Sequence, residues 1–215
     1  MQISSDVRKA IDYIFQPRHN IKQILEYLEE SADETRTSPE VAEWAKKTRK
    51  TIEQRSPTSV KVALRQIRDG ARWNIMQTFR HEYHIATKFM EHPDFVEGVS
   101  ARLIQKPPGK PNWSPATMDE VSDETVDSFF AADPTELALL SAEGANPYQD
   151  YPHAWVGLPW EKEVKTFIEN NTPKDPRIVV RHFLNEKKNK IGVKEKIEEI
   201  LVRKTSIKDG SLVWE

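Results

Sequence analysis

Apolar residues recur every three or four positions along nearly the whole chain, which is the period of an amphipathic α-helix. No segment shows the clean alternation of apolar and polar residues that marks a half-buried strand. The pattern therefore predicts an all-α chain of about nine helices. The apolar faces include Val7, Ile11 and Ile14; Ile21, Ile24 and Leu28; Met76, Phe79 and Tyr83; and Val193, Ile197 and Ile200.

Several helix starts are marked by a polar capping residue, often with proline behind it. Asn20 precedes the second apolar face, and Ser38, Ser56 and Asp175 each stand directly before a proline. A side-chain oxygen at this position accepts a bond from a free helical N–H group, while proline fits the first helical position. Gly70 is predicted to end the fourth helix in a left-handed conformation, which glycine tolerates.

Two irregular segments rich in proline or aromatic residues interrupt this pattern. Residues 105–118 contain four prolines, which exclude a regular helix there. Residues 146–159 hold Tyr148, Tyr151 and Trp155, and Trp160 follows them. Short helices are predicted between these segments, at 122–131 and 134–142, and three more at 159–170, 175–189 and 193–204.

Composition narrows the classes of protein that this chain can represent. Lys and Arg number 32 against 34 Asp and Glu, so bulk charge does not indicate a nucleic-acid-binding protein. Cysteine is absent, which excludes disulfides, Cys-ligated zinc and thiol catalysis. No run of about 20 apolar residues predicts a membrane span, and the first residues lack the plan of a signal peptide.

Charge is distributed unevenly, with acids prevailing over residues 119–169 and bases after residue 177. Such bases can meet the phosphates of RNA, and exposed aromatic rings can contact RNA or a protein partner. The opposing interpretation is a solvated helix face beside an ordinary packed loop. The candidate contacts with RNA or a partner are Lys187, Lys188, Lys190, Lys194, Trp155 and Trp160.

The sequence offers no complete catalytic site. His81 and His84 share a helical face, but no third metal ligand is evident, so no metal site is predicted. The glycines are too scattered to form a phosphate-binding loop, and no Gly-x-Ser-x-Gly motif is present. We therefore predict no catalytic residue and no cofactor in this chain, and assign no cofactor-binding residue.

Three segments in succession resemble the 3-hydroxyisobutyryl-CoA hydrolases of the crotonase, or enoyl-CoA hydratase/isomerase, superfamily. Residues 56–67 resemble the family's helix that begins Ser-Pro-Thr-Ser, and residues 82–90 resemble the next helix. Residues 92–99 match its His-Pro-Asp-Phe segment, which Pro111 and Trp113 continue. Ser100, Gln105 and Pro107 depart from the family pattern. The C-terminal residues resemble, more weakly, the tail of fungal members.

The resemblance implies the helical C-terminal part of a crotonase-like protein. In this family the oxyanion-hole amides and the catalytic Glu and Asp belong to an N-terminal β/α half, and nothing here matches those motifs. The first hypothesis is therefore that residues 1–131 are the crotonase-like helical region and 132–215 a helical extension with a basic tail. Joined to an N-terminal half, in the same or a separate chain, it would hydrolyse an acyl-CoA thioester in mitochondrial valine catabolism.

The second hypothesis is a structural role. A relative of this hydrolase serves as a protein of the fungal mitochondrial small ribosomal subunit, where surface rather than chemistry is needed. The lysine-rich tail and the aromatic segment suit that role, with ribosomal proteins and rRNA as partners, whereas the modest net charge of −2 speaks against it. Both hypotheses imply the mitochondrial matrix.

Overall fold

A computed structural model of the chain describes residues 3–131, 137–138 and 153–215. Helices dominate these ranges, so the predicted all-α class is confirmed. None of these helices is both long and apolar enough to cross a membrane. The α-helices of the described ranges are α1 (Ser5–Ile14), α2 (Ile21–Ser31), α3 (Pro39–Glu53), α4 (Pro57–Gly70), α5 (Ile75–Glu91), α6 (Pro93–Val99), α7 (Asp123–Ser128), α8 (Glu161–Asn171), α9 (Pro176–Glu186) and α10 (Val193–Lys204).

The chain divides into two compact units. One unit joins Met1–Tyr13 to Pro152–Glu215, and the other is Ile14–Tyr151. We call them the C-terminal unit and the central unit. A division between residues 131 and 132, drawn from the family resemblance, stays a prediction.

Helix starts in the central unit follow the capping residues. The Asn20 side chain accepts the Gln23 N–H at 2.9 Å, and the Ser56 hydroxyl accepts the Ser59 N–H at 3.2 Å. Helix α4 ends at Gly70 as predicted, but the predicted left-handed conformation is wrong, because the left-handed glycines of the described ranges are Gly192 and Gly210. The chain instead continues into a right-handed turn at Ala71, where the Trp73 N–H bonds to the Gly70 carbonyl at 3.1 Å.

Buried side chains of the central unit come from α2 and α3 as well as from α4, α5 and α7. Helices α2 and α3 pack together, and α4 packs against α7. One buried cluster joins α4, α5, α7 and the loop before α7, with Phe89 and Phe130 packed against it. Its members are Val62, Ile85, Val121, Val126 and Phe129.

The proline-rich segment is irregular, as predicted, up to the cap of α7. A π-helix over Ser100–Ile104 precedes it. Helix α7 begins after Ser122 as predicted, but it ends at Ser128 rather than at residue 131. Of the helix predicted at 134–142, the structure describes only residues 137–138, which are not helical. Residues 146–152 of the aromatic segment lie outside the described residues.

The C-terminal unit is built on α8, α9 and α10. These helices pack on one another and bury Val164, Ile168, Val179, Phe183, Val193, Ile197, Ile200 and Leu201 in a single cluster. Leu212 joins this cluster from outside the helices. The three helices predicted for this region are confirmed, with ends that differ by at most three residues.

A two-stranded hairpin ends the chain and was not predicted. Strand β1 (Thr205–Lys208) pairs antiparallel with β2 (Ser211–Trp214), so that Lys208 lies opposite Ser211. Asp209 and Gly210 both adopt positive φ, as a two-residue hairpin turn requires. The strands escaped prediction because each has four residues, too few for an alternating pattern to stand out.

Candidate contact surface for RNA or a protein partner

Two exposed tryptophans flank a short segment that is fixed on the C-terminal unit. Trp155 lies in a 3₁₀ turn (Ala154–Val156) and is 70% exposed, while Trp160 precedes α8 and is 50% exposed. Between them, Leu158 packs against the buried cluster and against Gly192. The Glu163 carboxylate accepts the Trp160 N–H at 2.6 Å, which fixes the start of α8. The two rings therefore stand on an ordered backbone.

The loop between α9 and α10 carries three of the candidate lysines. Lys188 and Asn189 adopt positive φ, and the Asn189 N–H bonds to the Leu184 carbonyl at 2.7 Å. This tight turn reverses the chain so that α10 packs on α9. Ile191, at 95% exposure, follows the lysines on this loop. We call residues 153–160 together with 187–194 the Trp–Lys surface.

One hydrogen bond connects the two halves of the Trp–Lys surface. The Lys190 ammonium donates to the carbonyl of Val156, the residue after Trp155. The Lys190 ammonium is thereby held at the backbone beside Trp155, although 35 residues separate Trp155 from Lys190 in sequence. The sequence could not predict this pairing, since it depends on how the loop folds back.

The remaining candidate lysines differ in how freely their charges face solvent. The Lys187 side chain is only 13% exposed and lies 3.3 Å from a Glu186 carboxylate oxygen. Lys194 is exposed and lies 3.8 Å from Glu198 on the same helix. Lys188 is exposed on the turn. Overall, residues 186–196 hold five lysines and two glutamates, so the loop is locally basic.

Several other bases of the C-terminal tail are engaged in ion pairs. The guanidinium of Arg203 is almost fully buried and donates to Asp12 and Glu199, both at 2.8 Å, and to Glu161. Burial lowers the pKa of Arg203, but bonds to Glu199 and Glu161 outweigh that effect and raise it. Lys204 lies 3.0 Å from the same Asp12 carboxylate. These bases tie helices α1, α8 and α10 together rather than facing a partner.

The central unit exposes an apolar surface. Four large apolar side chains on α5 are at least half exposed and lie within an arc of about 80° at 100° per residue. They are Ile75, Phe79, Tyr83 and Met90, and we call them the α5 stripe. An exposed apolar stripe on an ordered helix is typical of a surface that contacts another protein segment.

The histidine pair noted in the sequence does not form part of a metal centre in the described ranges. There, no group of three or more His, Cys, Asp or Glu side chains is close enough to hold an ion. The His81 ring stacks on Trp73, with ring centres 4.1 Å apart. Burial lowers its pKa, and His84 acts in the same direction against the opposing effect of Asp69.

The sequence profile of the enoyl-CoA hydratase/isomerase family matches residues 2–130. The chain therefore belongs to that family, as the resemblance predicted.

Among its relatives is the small ribosomal subunit protein mS47 of Neurospora crassa. It is 37% identical over 206 residues, which cover 94% of this chain and 40% of the relative. The mitochondrial 3-hydroxyisobutyryl-CoA hydrolase of Gallus gallus is 45% identical over 87 residues, covering 40% of this chain and 22% of its own length. The mS47 protein of Schizosaccharomyces pombe is 38% identical over 109 residues, covering 51% of this chain and 24% of its own. The chain thus spans less than half the length of these relatives.

Proposed function

We propose that this chain is part of a structural protein of the mitochondrial small ribosomal subunit, derived from the hydrolase family and located in the matrix. The alignment with the N. crassa mS47 protein carries this proposal, since at 94% of the chain it includes most of the C-terminal unit. The hydrolase of Gallus gallus instead aligns over 40% of the chain. A segment shared with a ribosomal relative is the natural place for contacts with ribosomal RNA and proteins.

The Trp–Lys surface has the chemistry that contact with single-stranded RNA requires. Lysines neutralise phosphates and release counterions, while exposed rings stack on unpaired bases for about 1–3 kcal/mol each. The Lys190 ammonium is held at the backbone beside Trp155, so little conformational entropy is lost on contact. The net charge of −2 does not oppose this role, because five lysines are concentrated in residues 186–196, which include the loop between α9 and α10.

Sedimentation tests the proposal directly. Mitochondrial extract would be separated on a sucrose gradient in high salt, and the native protein followed by antibody together with a small-subunit marker. We expect it to stay with the small subunit, because high salt removes loosely bound proteins but not the structural proteins of the subunit. A pool confined to the soluble fractions would contradict the proposal.

Variants of the Trp–Lys surface test its contact with RNA. Trp155→Ala combined with Lys188→Gln and Lys190→Gln should weaken binding of single-stranded RNA by at least about tenfold, through loss of a stacking ring and two cations. It should also reduce the slope of log affinity against log salt by about 2. The matched control replaces two other exposed lysines of the same unit, Lys162→Gln and Lys174→Gln. Equal losses in both variants would contradict the assignment.

The second candidate is the helical half of an acyl-CoA thioester hydrolase, supported by the family match over residues 2–130. The α5 stripe is then the surface that packs on the N-terminal half, and the complete protein takes acyl-CoA as substrate. Phe79→Ser should abolish association with a separately expressed N-terminal half of a hydrolase relative, whereas Glu91→Gln, on another side of α5, should not. Measurable thioester hydrolysis by the reassembled pair would favour this candidate over a purely structural role.

A further inference from the structure

A pocket of about 420 Å³ lies in the central unit, where the ends of α3 and α5 meet the starts of α4 and α6. That volume falls in the range of roughly 300–1,000 Å³ typical of small-molecule sites. Its walls combine aromatic rings, notably Phe95 and Trp113, with Arg55 and Arg102. Neither candidate function uses this pocket.

The floor of the pocket is a buried hydrogen-bond network. Asp94 is buried, and one of its carboxylate oxygens accepts the Ser56 hydroxyl at 2.5 Å. Its other oxygen accepts the Ser114 N–H at 2.8 Å. Because both oxygens already have donors, the negative charge of Asp94 is partly compensated and repels an anion less than a bare carboxylate would.

The aromatic wall is preformed. The indole N–H of Trp113 donates to the Gln54 carbonyl at 3.2 Å, and the far edge of its ring packs on Gly98, where an added Cβ would approach it to 3.0 Å. The Asn112 N–H is bonded to a Glu97 carboxylate at 2.7 Å, which ties this loop to α6. A ring fixed at both edges can stack on a flat ligand without first being ordered.

The two arginines bring positive charge to the pocket. Arg55 and Arg102 are exposed, and neither side chain has an ion pair or hydrogen bond with any residue in the described ranges. Arg102 belongs to the π-helix, in which the Gln105 N–H reaches back to the Ser100 carbonyl at 2.9 Å. Such π-segments occur often at functional sites. A free guanidinium presents a planar fork that matches phosphate oxygens.

We propose that this pocket binds a nucleotide, with the base stacked against Trp113 and Phe95 and the phosphate paired with Arg55 and Arg102. Aromatic rings beside free arginines are the combination that recognises an unpaired base with its phosphate. A free nucleotide and a nucleotide within single-stranded RNA offer the same chemistry. The inference concerns the central unit and does not depend on the ribosomal proposal.

Calorimetric titration of the full chain with adenosine 5′-monophosphate tests this. Binding should be stronger than to adenosine or to inorganic phosphate alone, since each probe lacks half of the recognised groups. Arg55→Gln and Arg102→Gln should each weaken binding by about tenfold or more, through loss of a charge-assisted contact. Arg36→Gln serves as the control, because Arg36 is an exposed arginine of the same unit that does not line the pocket.

A short single-stranded oligoadenylate then distinguishes the two sources of the nucleotide. Tighter binding of the oligomer than of the monophosphate, with the same sensitivity to Arg102→Gln, would assign the pocket to RNA. Equal binding would assign it to a free nucleotide. If neither probe binds, or if both arginine variants bind as the wild type does, the proposal is wrong, and the sedimentation test of the ribosomal role is unaffected.

Discussion

The central unit and the C-terminal unit differ most clearly in what they expose. The central unit presents the α5 stripe of four large apolar side chains, whereas the C-terminal unit presents tryptophans beside a lysine-rich turn. An apolar stripe favours a protein partner, and cations with exposed rings favour RNA. One chain thus carries two surfaces of different chemistry, which suits a protein built into a particle of RNA and protein.

Their cores differ as well. Nine buried residues from three helices and the hairpin form one cluster in the C-terminal unit, while the corresponding cluster of the central unit has five. The larger connected core stabilises the C-terminal unit and holds its surface loops in one conformation. Substitutions in the two units therefore test this difference.

Phe183→Ala should destabilise the C-terminal unit by about 3–5 kcal/mol, because it leaves a cavity at a fully buried position of α9. Urea denaturation followed by circular dichroism measures the loss. Ile178→Ala, on the same helix but exposed, should lose less than about 1 kcal/mol. Equal effects of the two variants would show that the cluster does not act as a core.

Arg203→Met should cost about 1–3 kcal/mol, since it removes a buried guanidinium that three carboxylates share. Those carboxylates are partly solvated, which keeps the loss below that of a fully buried pair. Chemical denaturation measures the change. Arg8→Met is the control, because it removes only an exposed 3.6 Å pair with Glu199. No difference from this control would argue against the network as the tie between α1 and α10.

Gly98→Ala should destabilise the central unit by about 1 kcal/mol, because the new methyl group would meet the fixed Trp113 ring at 3.0 Å. Thermal unfolding detects the change. Gly70→Ala should be neutral or stabilising, since the nearest atom of Trp73 lies 3.5 Å away and alanine favours a helix. The account of the pocket wall would be wrong if Gly98→Ala were equally tolerated.

The smallest effect concerns pH and His81. Burial holds its pKa below the ordinary value of 6.5, so the unfolded chain binds its proton more readily than the folded one. Stability should therefore fall as the pH drops below about 6.5, and His81→Gln should flatten that dependence slightly. Unfolding free energies of both proteins, measured from about pH 7.5 to about pH 5, cover the range in which histidine titrates and would reveal this difference. A steeper dependence in the variant would contradict this sign.

Local features of the fold could be predicted from the sequence, and the contacts of the surface could not. Ser56, Ser122 and Asn20 specify helix starts because capping involves residues two or three positions apart. The bond between Lys190 and Val156 joins distant segments, so no local pattern reveals it. Arg203 illustrates the same limit, because the sequence places it in a basic tail while its charge is enclosed by carboxylates from three helices.

Ultraviolet cross-linking of RNA to protein in gradient-purified small subunits, followed by peptide mass spectrometry, shows which residues of the protein contact RNA. We predict RNA adducts on the Trp–Lys surface, at residues 153–160 and 187–194, and none on the α5 stripe. Adducts on the α5 stripe, or an absence of adducts from the Trp–Lys surface in subunits that contain the protein, would contradict this prediction.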